Sequence, residues 1–450
     1  MSVLNSVVGI LIALGILVTV HEYGHFWVAR RNGIKVLRFS IGFGRPLLRW
    51  YDRHGTEFAI AWIPLGGYVK MLDEREAPVD PAERDQAFNT KTPLQRIAVA
   101  SAGPAANFLF AIVAFALLYS LGVRELASYV EAPAPNSPAA VAGFSEADRI
   151  TAIDGQDVDS WRGISLALAR RVGDSGALEF QVEQANGSLA TRSIPVERWL
   201  ASESEPNPLA NLGLYPDRPS TPAVIGEVFA DGAGAAAGLQ SGDRIVAVDG
   251  QAIENWLDWV AVIQPNGGLD LNVELIRDGQ PMQLTLTPNE RQLDGQTQGF
   301  IGTAAAPVEW PEDRLLTFRV APWTGIWLGL QDTWEMVHLS FEMLGKMLSG
   351  LVSVQQIGGP ISMAQMAGDS VQGGLESFVR FLAFISISLG VVNLLPIPIL
   401  DGGHILLYSI EWLRGRPLSE RVQMIGSQLG LLLVLGLMML AFVNDLGRLG

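Results

Sequence analysis

The sequence predicts an α-helical polytopic membrane protein with four spans and both termini outside. It adds a membrane-associated β-hairpin region and two α+β domains. Three observations carry this prediction. A mean hydropathy of +0.26 beside 17% charged residues, over 450 residues, describes a membrane protein with sizeable soluble parts. The apolar runs are separated by short basic loops: residues 30–96 hold 12 Lys+Arg against 8 Asp+Glu. Residues 123–320 hold 13 Lys+Arg against 28 Asp+Glu, with no lysine, and contain an internal repeat at constant offset. The net charge of −15 argues against nucleic acid as a partner. With no cysteine, any metal must be held by histidine and carboxylate.

The first span, residues 1–30, closes on Val20-His21-Glu22-Tyr23-Gly24-His25-Phe26. On a helix the imidazoles of His21 and His25 stand one turn apart on one face and can ligate one Zn²⁺. Glu22 is then placed to take a proton from a water the metal acidifies. Two core histidines satisfied by neighbours are the alternative, but His-Glu-His is costly to insert in an apolar span and reads as functional. No basic residue precedes the span and no small-x-small site follows it, so a removed signal peptide is not expected. Arg30, Arg31, Lys35 and Arg38 follow at once and place residues 31–96 on the cytoplasmic side. Within that segment, 36–50 and 56–71 read as strands. Gly42, Gly44 and Gly66-Gly67 allow bends where backbone approaches another strand or the membrane. A sheet dipping into the bilayer beside the metal and an ordinary cytoplasmic hairpin both fit.

The second span, residues 97–123, carries Gly103-Pro104-Ala105-Ala106-Asn107, small residues that let helices approach, and one amide able to reach the first span. The acidic block divides into 124–221 and 222–308. Asp148-Arg149-Ile150-Thr151-Ala152-Ile153-Asp154-Gly155-Gln156 recurs 95 positions on as Asp243-Arg244-Ile245-Val246-Ala247-Val248-Asp249-Gly250-Gln251. Gly143 recurs as Gly238 and Trp161 as Trp256. Ala237-Gly238-Leu239-Gln240-Ser241-Gly242-Asp243 resembles the bacterial PDZ signature, and the first copy departs from it with Ala147 where glycine is usual. PDZ domains take a peptide as an added strand; a spacer or steric lid is the other reading.

Residues 323–352 form an amphipathic helix whose Trp323, Trp327 and Trp334, with Asp332, Glu335 and Lys346, suit the outer interface rather than a span. His338 on it is expected to be interfacial rather than a ligand. The third span, residues 378–403, ends in Asn393-Leu394-Leu395-Pro396-Ile397-Pro398-Ile399-Leu400-Asp401-Gly402-Gly403-His404. Two prolines break the helix there, and freed backbone at membrane depth survives only inside protein or beside a wet cavity. Asp401 at that break is a candidate third ligand. A basic loop with Arg414, Arg416 and Arg421 leads to the fourth span, residues 424–443.

The topology closes the site. The first span reaches His21 after about 27 Å of helix and the third, entering from the same side, reaches Asp401 after about 35 Å before the break shortens it. Had residues 323–352 crossed the bilayer, Asp401 would lie at the opposite face.

H-E-x-x-H in a first span, N-x-x-P-x-P-x-L-D-G in a late one and PDZ-like domains between them resemble the site-2 protease family of intramembrane zinc metalloproteases. The resemblance covers nearly the whole chain. It implies that His21, His25 and Asp401 bind Zn²⁺ and that Glu22 is the catalytic general base. It further implies that Asn393 contacts substrate, and Pro396, Pro398, Gly42, Gly44 and Asn107 complete the candidate substrate-binding set. The implied partners are the lipid bilayer and single-span membrane proteins, such as an anti-sigma factor trimmed by another protease and remnant signal peptides. The implied place is the bacterial inner membrane, with the PDZ domains periplasmic. Two other readings are weighed: a catalytically dead PDZ membrane adaptor, and a transporter, for which the spans show no internal symmetry.

Overall fold

The computed structural model describes residues 3–293, 296–308 and 310–449. Its helices of eight residues or more are α1 (Val3–Arg31), α2 (Pro93–Leu121), α3 (Trp161–Arg170), α4 (Trp256–Ile263), α5 (Pro322–Leu348), α6 (Pro360–Gln372), α7 (Gly374–Leu394), α8 (Asp401–Arg414) and α9 (Glu420–Leu449). Four of them, α1, α2, α7 and α9, are long and apolar enough to cross a membrane. The helix α5 is not among them, and its three tryptophans stand 59–75% exposed.

At the centre of the bundle lies α2. Thr92 caps it, taking the Gln95 amide while the Gln95 side chain returns to the Thr92 amide, which satisfies the first orphan donors. Its small residues let neighbours come close. Gly24 of α1 lies against the Ala102 carbonyl and Ala106, where a Cβ has no room. Further along α2, Gly325 and Gly329 of α5 press onto Ala116 and the Ile112 carbonyl. Phe115, Leu118 and Tyr119 then share an apolar cluster with Ala383, Ile387 and Val391 of α7. Ala13 and Leu17 of α1 pack on Ala367 of α6 and on Phe381 and Leu382 of α7.

The first loop folds as β1 (Val36–Tyr51) and β2 (Glu57–Met71), which are long and bent. Residues 38–41 pair on one side with 57–60 and on the other with 67–70, while 48–51 pair with the far edge of 57–60. The hairpin therefore makes a small curled sheet with segment 67–71 at one edge. Phe26 of α1 meets Phe39 and Phe58 at 5.6 and 5.5 Å between ring centres and pins this sheet to the helix.

Two antiparallel strands, β3 (Val123–Leu126) and β12 (Leu315–Phe318), form the stalk of the acidic block, with Leu126 opposite Leu315. In the first domain β4 (Arg149–Ile153), β5 (Gln156–Asp157), β6 (Gly176–Glu183) and β7 (Leu189–Val196) lie in the order β5-β4-β6-β7. In the second, β8 (Arg244–Val248), β9 (Gln251–Ala252), β10 (Leu271–Arg277) and β11 (Gln280–Leu286) lie in the order β9-β8-β10-β11. The repeat extends to the cores, because Ile150, Ile153, Ile164, Leu168, Leu178 and Phe180 are matched 95 positions on by Ile245, Val248, Trp259, Ile263, Val273 and Leu275, all buried. Asp154-Gly155 and Asp249-Gly250 make the same left-handed turn, with φ of 50° and 79° against 49° and 81°.

The carboxylates of Asp148 and Asp243 are buried and each closes its own loop, taking the Ser145 amide at 2.9 Å and the Gln240 amide at 2.8 Å. Burial works against the charge of Asp243. The Arg277 guanidinium, at 2.7 Å from both oxygens, and the Gln240 amide more than offset this and hold the carboxyl below its usual range.

One expectation needs correction. The third span does not carry Asp401: its helix α7 ends at Leu394, and Asp401 opens the separate helix α8. The cause is the pair Pro396 and Pro398, which supply no amide donor across the break. In addition α6, unforeseen between 353 and 377, packs under α1. Its N-terminus is capped by Asp445 of α9, whose carboxylate takes the amides of Gly359, Ile361 and Ser362 at 2.8–3.2 Å.

Candidate metal centre

Helix α1 brings His21 and His25 to one face, and the start of α8 brings Asp401 against them. His21 Nε2 and His25 Nε2 are 3.2 Å apart, and Asp401 Oδ2 lies 3.2 Å from the first and 3.5 Å from the second. No other group of three or more metal-ligating side chains is so gathered among the described residues. The half-turn between α7 and α8 aims the carboxylate. Ile399 sits there at φ 136°, a conformation that a β-branched residue adopts only under strain. As the first residue of α8, Asp401 also meets the positive end of that helix dipole.

The donor set fits zinc. Four-coordinate zinc with bonds near 2.1 Å holds its ligands about 3.4 Å apart, which is the spacing found. Asp401 Oδ2 is buried and, despite two nearby ring nitrogens, makes no hydrogen bond of acceptable geometry. His25 Nδ1 donates to the Val99 carbonyl at 2.8 Å, so its Nε2 presents a lone pair. At His21 the partner is Asn107, fully buried, whose side-chain amide is 3.2 Å from Nδ1. Its Oδ1 lacks a donor. Turning that amide over puts Oδ1 on an Nδ1–H and frees His21 Nε2 in the same way.

Glu22 joins His25, Asp401, His404 and Tyr408 around a cavity of about 380 Å³. A side chain at Gly67 would collide with the Ser40 carbonyl, Val18 and Glu22, so the edge segment 67–71 runs directly beside α1 at the site. Gly103 is the other close approach. A Cβ there would fall on His25 Nε2 and within 2.7 Å of His21 Nε2, filling the space that a metal needs.

Of the residues read from sequence, His21, Glu22, His25, Asp401 and Asn107 come together here. Asn107 does so behind His21, fully buried and not facing outward, unlike its place in the expected substrate-binding set. Gly42 and Gly44 take positive φ in β1 and face Ile63; it is Gly67, not they, that meets α1 beside Glu22. Asn393 is half-buried in the last turn of α7, directly before the break, Pro396 is exposed, and Pro398 packs on Gly430 of α9. His338 is 62% exposed beside Glu342 and stands apart from the cluster. Gly103 and Val99 were missed as site residues. The run of small residues around Asn107 was their signal, read only as packing.

Residues 9–437 match peptidase family M50. Over the whole of both chains the protein is 42% identical to the regulator of sigma-E protease RseP of Salmonella typhimurium. It is likewise 42% identical to the protease RseP of Yersinia pestis and 40% to the regulator of sigma-E protease RseP of Escherichia coli, again over both full lengths.

Proposed function

This chain belongs to peptidase family M50, a transmembrane zinc metalloprotease of that family, and from that premise we propose that it cuts single-span membrane proteins inside the bilayer. The observation that carries the reading is the meeting of H-E-x-x-H on an apolar helix with a carboxylate at a helix break. In this reading His21, His25 and Asp401 hold the metal. When bound, zinc polarises a carbonyl and acidifies water at neutral pH. Glu22, on the same cavity, takes the proton of the attacking water and passes it to the leaving amine. Val99 and Asn107 keep the imidazoles in the orientation that ligation needs.

A peptide bond within a helix is hidden in its own hydrogen-bond ladder, so the substrate has to be extended to be cut. Edge segment 67–71 beside Glu22 offers backbone groups for such a strand. Asn393 and the broken backbone at Pro396 and Pro398 offer a second set.

The relatives are named as regulators of sigma E, and the proposed place of this protein is a stress-signalling cascade at the bacterial inner membrane. Its proposed substrates are an anti-sigma factor already trimmed by another protease, and remnant signal peptides. The two α+β domains are proposed as periplasmic PDZ domains that screen substrates by size. Repeat topology and the acidic balance of the block support this reading.

The test is Glu22→Gln. It is expected to keep zinc and to lower cleavage of a single-span substrate by about a hundredfold to ten-thousandfold, because base catalysis is lost while the ligands remain. Turnover equal to that of the parent protein would remove Glu22 from the chemistry, whereas absence of cleavage by the parent protein itself would leave the adaptor reading standing.

A further inference from the structure

Asp401, His404, Tyr408 and Glu411 recur at intervals of three, four and three residues and so form one stripe along α8. The stripe faces α2. At its far end Arg96 Nη2 donates to Glu411 Oε2 at 2.6 Å, with the two side chains 11% and 3% exposed. Glu411 Oε1 also accepts the Leu418 amide, at 3.2 Å. Between this pair and the metal ligand, the Arg96 guanidinium lies 4.6 Å over the Tyr408 ring, which stacks on His404 at 5.9 Å. Arg96 stands in the first turn of α2, three residues before Val99 and eleven before Asn107. One helix that supplies no ligand thus contacts both imidazoles directly and is ion-paired to the helix that carries Asp401.

We infer that Arg96 and Glu411 are positioning residues for the third ligand: their ion pair fixes the rotation and slide of α8 on α2, and thereby keeps the Asp401 carboxylate against His21 and His25. The inference rests on the metal-site reading above. Segment 395–400 fixes where α8 begins, with Gly402 and Gly403 nested on the carbonyls of Leu394, Leu395 and Ile397, where a Cβ has no room. Broken by Pro396 and Pro398 and turned at Ile399, it is not a helical continuation from α7 and leaves the far end of α8 to side-chain contacts. The aim of Asp401 therefore depends on both ends of α8. Glu411 is ten residues, about 15 Å, along that rod. A 20° twist of α8 about its axis moves a carboxylate on its surface by roughly 2 Å, ten times the tolerance of a zinc–ligand bond. A buried ion pair contributes little to stability beyond what an apolar pair gives, but its hydrogen-bonded geometry specifies register.

The experiment uses the full-length protein in detergent. Zinc affinity is measured by chelator competition, coordination by the visible spectrum of the cobalt-substituted protein, and stability by thermal melting. Glu411→Ala is expected to weaken zinc binding tenfold to a hundredfold and to change the cobalt spectrum. The exchanged pair Arg96→Glu/Glu411→Arg is expected to recover most of the affinity. If Glu411→Ala does not fold, Glu411→Gln, which keeps the shape without the charge, is expected to weaken zinc severalfold. Asp445→Asn removes another buried carboxylate, far from the site, and is expected to lower the melting temperature with zinc affinity and spectrum unchanged. Parental affinity and spectrum in the folded Glu411 variant, whatever its melting temperature, would overturn the inference. So would an equal loss of zinc in Asp445→Asn. Absence of zinc from the parent protein would instead sink the metal-site reading.

Discussion

Ala147 takes φ 61° where its counterpart Gly242 takes φ 93°. The first domain therefore keeps the loop of the second and carries the strain of a side chain in the left-handed region, about 1–2 kcal/mol. Ala147→Gly relieves that strain and adds back part of it as unfolded-state freedom. The expected net is about 0.5–1 kcal/mol of added stability in the first domain, read as slower amide exchange there, with the second domain unchanged. Equal or faster exchange would mean that the loop is not strained. The same position shows what the sequence made legible. The missing glycine was visible as a departure, but its conformation was not, because the chain kept the loop and bore the cost. At the candidate metal centre, the gathering of His21 and His25, with Glu22 beside them, was legible because their spacing is local to one helix, and that of Asp401 because prolines announce a break. Of the partners, Asn107 was legible as an amide able to reach the first span, though its seat on His21, 86 residues away, was not. Glu411 is 315 residues from Arg96, and no periodicity links residues so far apart.

Between elements, the first domain is fastened to the membrane helices by a shared set of charges. Arg162 of α3 donates to Asp332 of α5 at 2.8 Å and to the Tyr119 hydroxyl of α2 at 3.1 Å, and Tyr119 also donates to Asp332 at 2.7 Å. Glu125 of β3 lies 3.6 Å from Arg162 and 3.4 Å from Arg380 of α7. A second clasp joins Lys346 of α5 to Asp174 at 2.8 Å and to the Val172 carbonyl at 3.1 Å. Arg162→Met leaves Asp332 and Glu125 poorly paired in a partly buried place. Amide exchange in α3 and the facing turn of α5 is expected to quicken about tenfold, equivalent to about 1.4 kcal/mol of local opening. Unchanged exchange would show that packing alone holds the domain. This clasp was not legible either, since sequence marked the polar residues of α5 only as a reason to keep it out of the bilayer.

For the whole molecule, the two repeated domains stand on the β3–β12 stalk, to one side of which the first is clasped onto α5. In the proposed reading, a span approaching Glu22 with a bulky outer domain attached would meet them first. Because Leu126 and Leu315 are already paired, a short flexible linker can replace the residues between them without moving the stalk. That deletion is expected to let the enzyme cut substrates whose outer domains are intact, at least tenfold faster than the full chain does. Substitutions near Leu212-Gly213-Leu214 and Ile301-Gly302-Thr303 alone are expected to do much less. Release of intact substrates by those substitutions would make ligand recognition, not size, the control.

All of this depends on a metal held jointly by α1 and α8, and zinc content per chain in purified Asp401→Ala measures that directly. The expected values are one zinc in the parent protein, one in Glu22→Gln, and well below one in Asp401→Ala, since a site with two of three ligands opens. One zinc per chain retained in Asp401→Ala would contradict the pairing of the two helices around a metal.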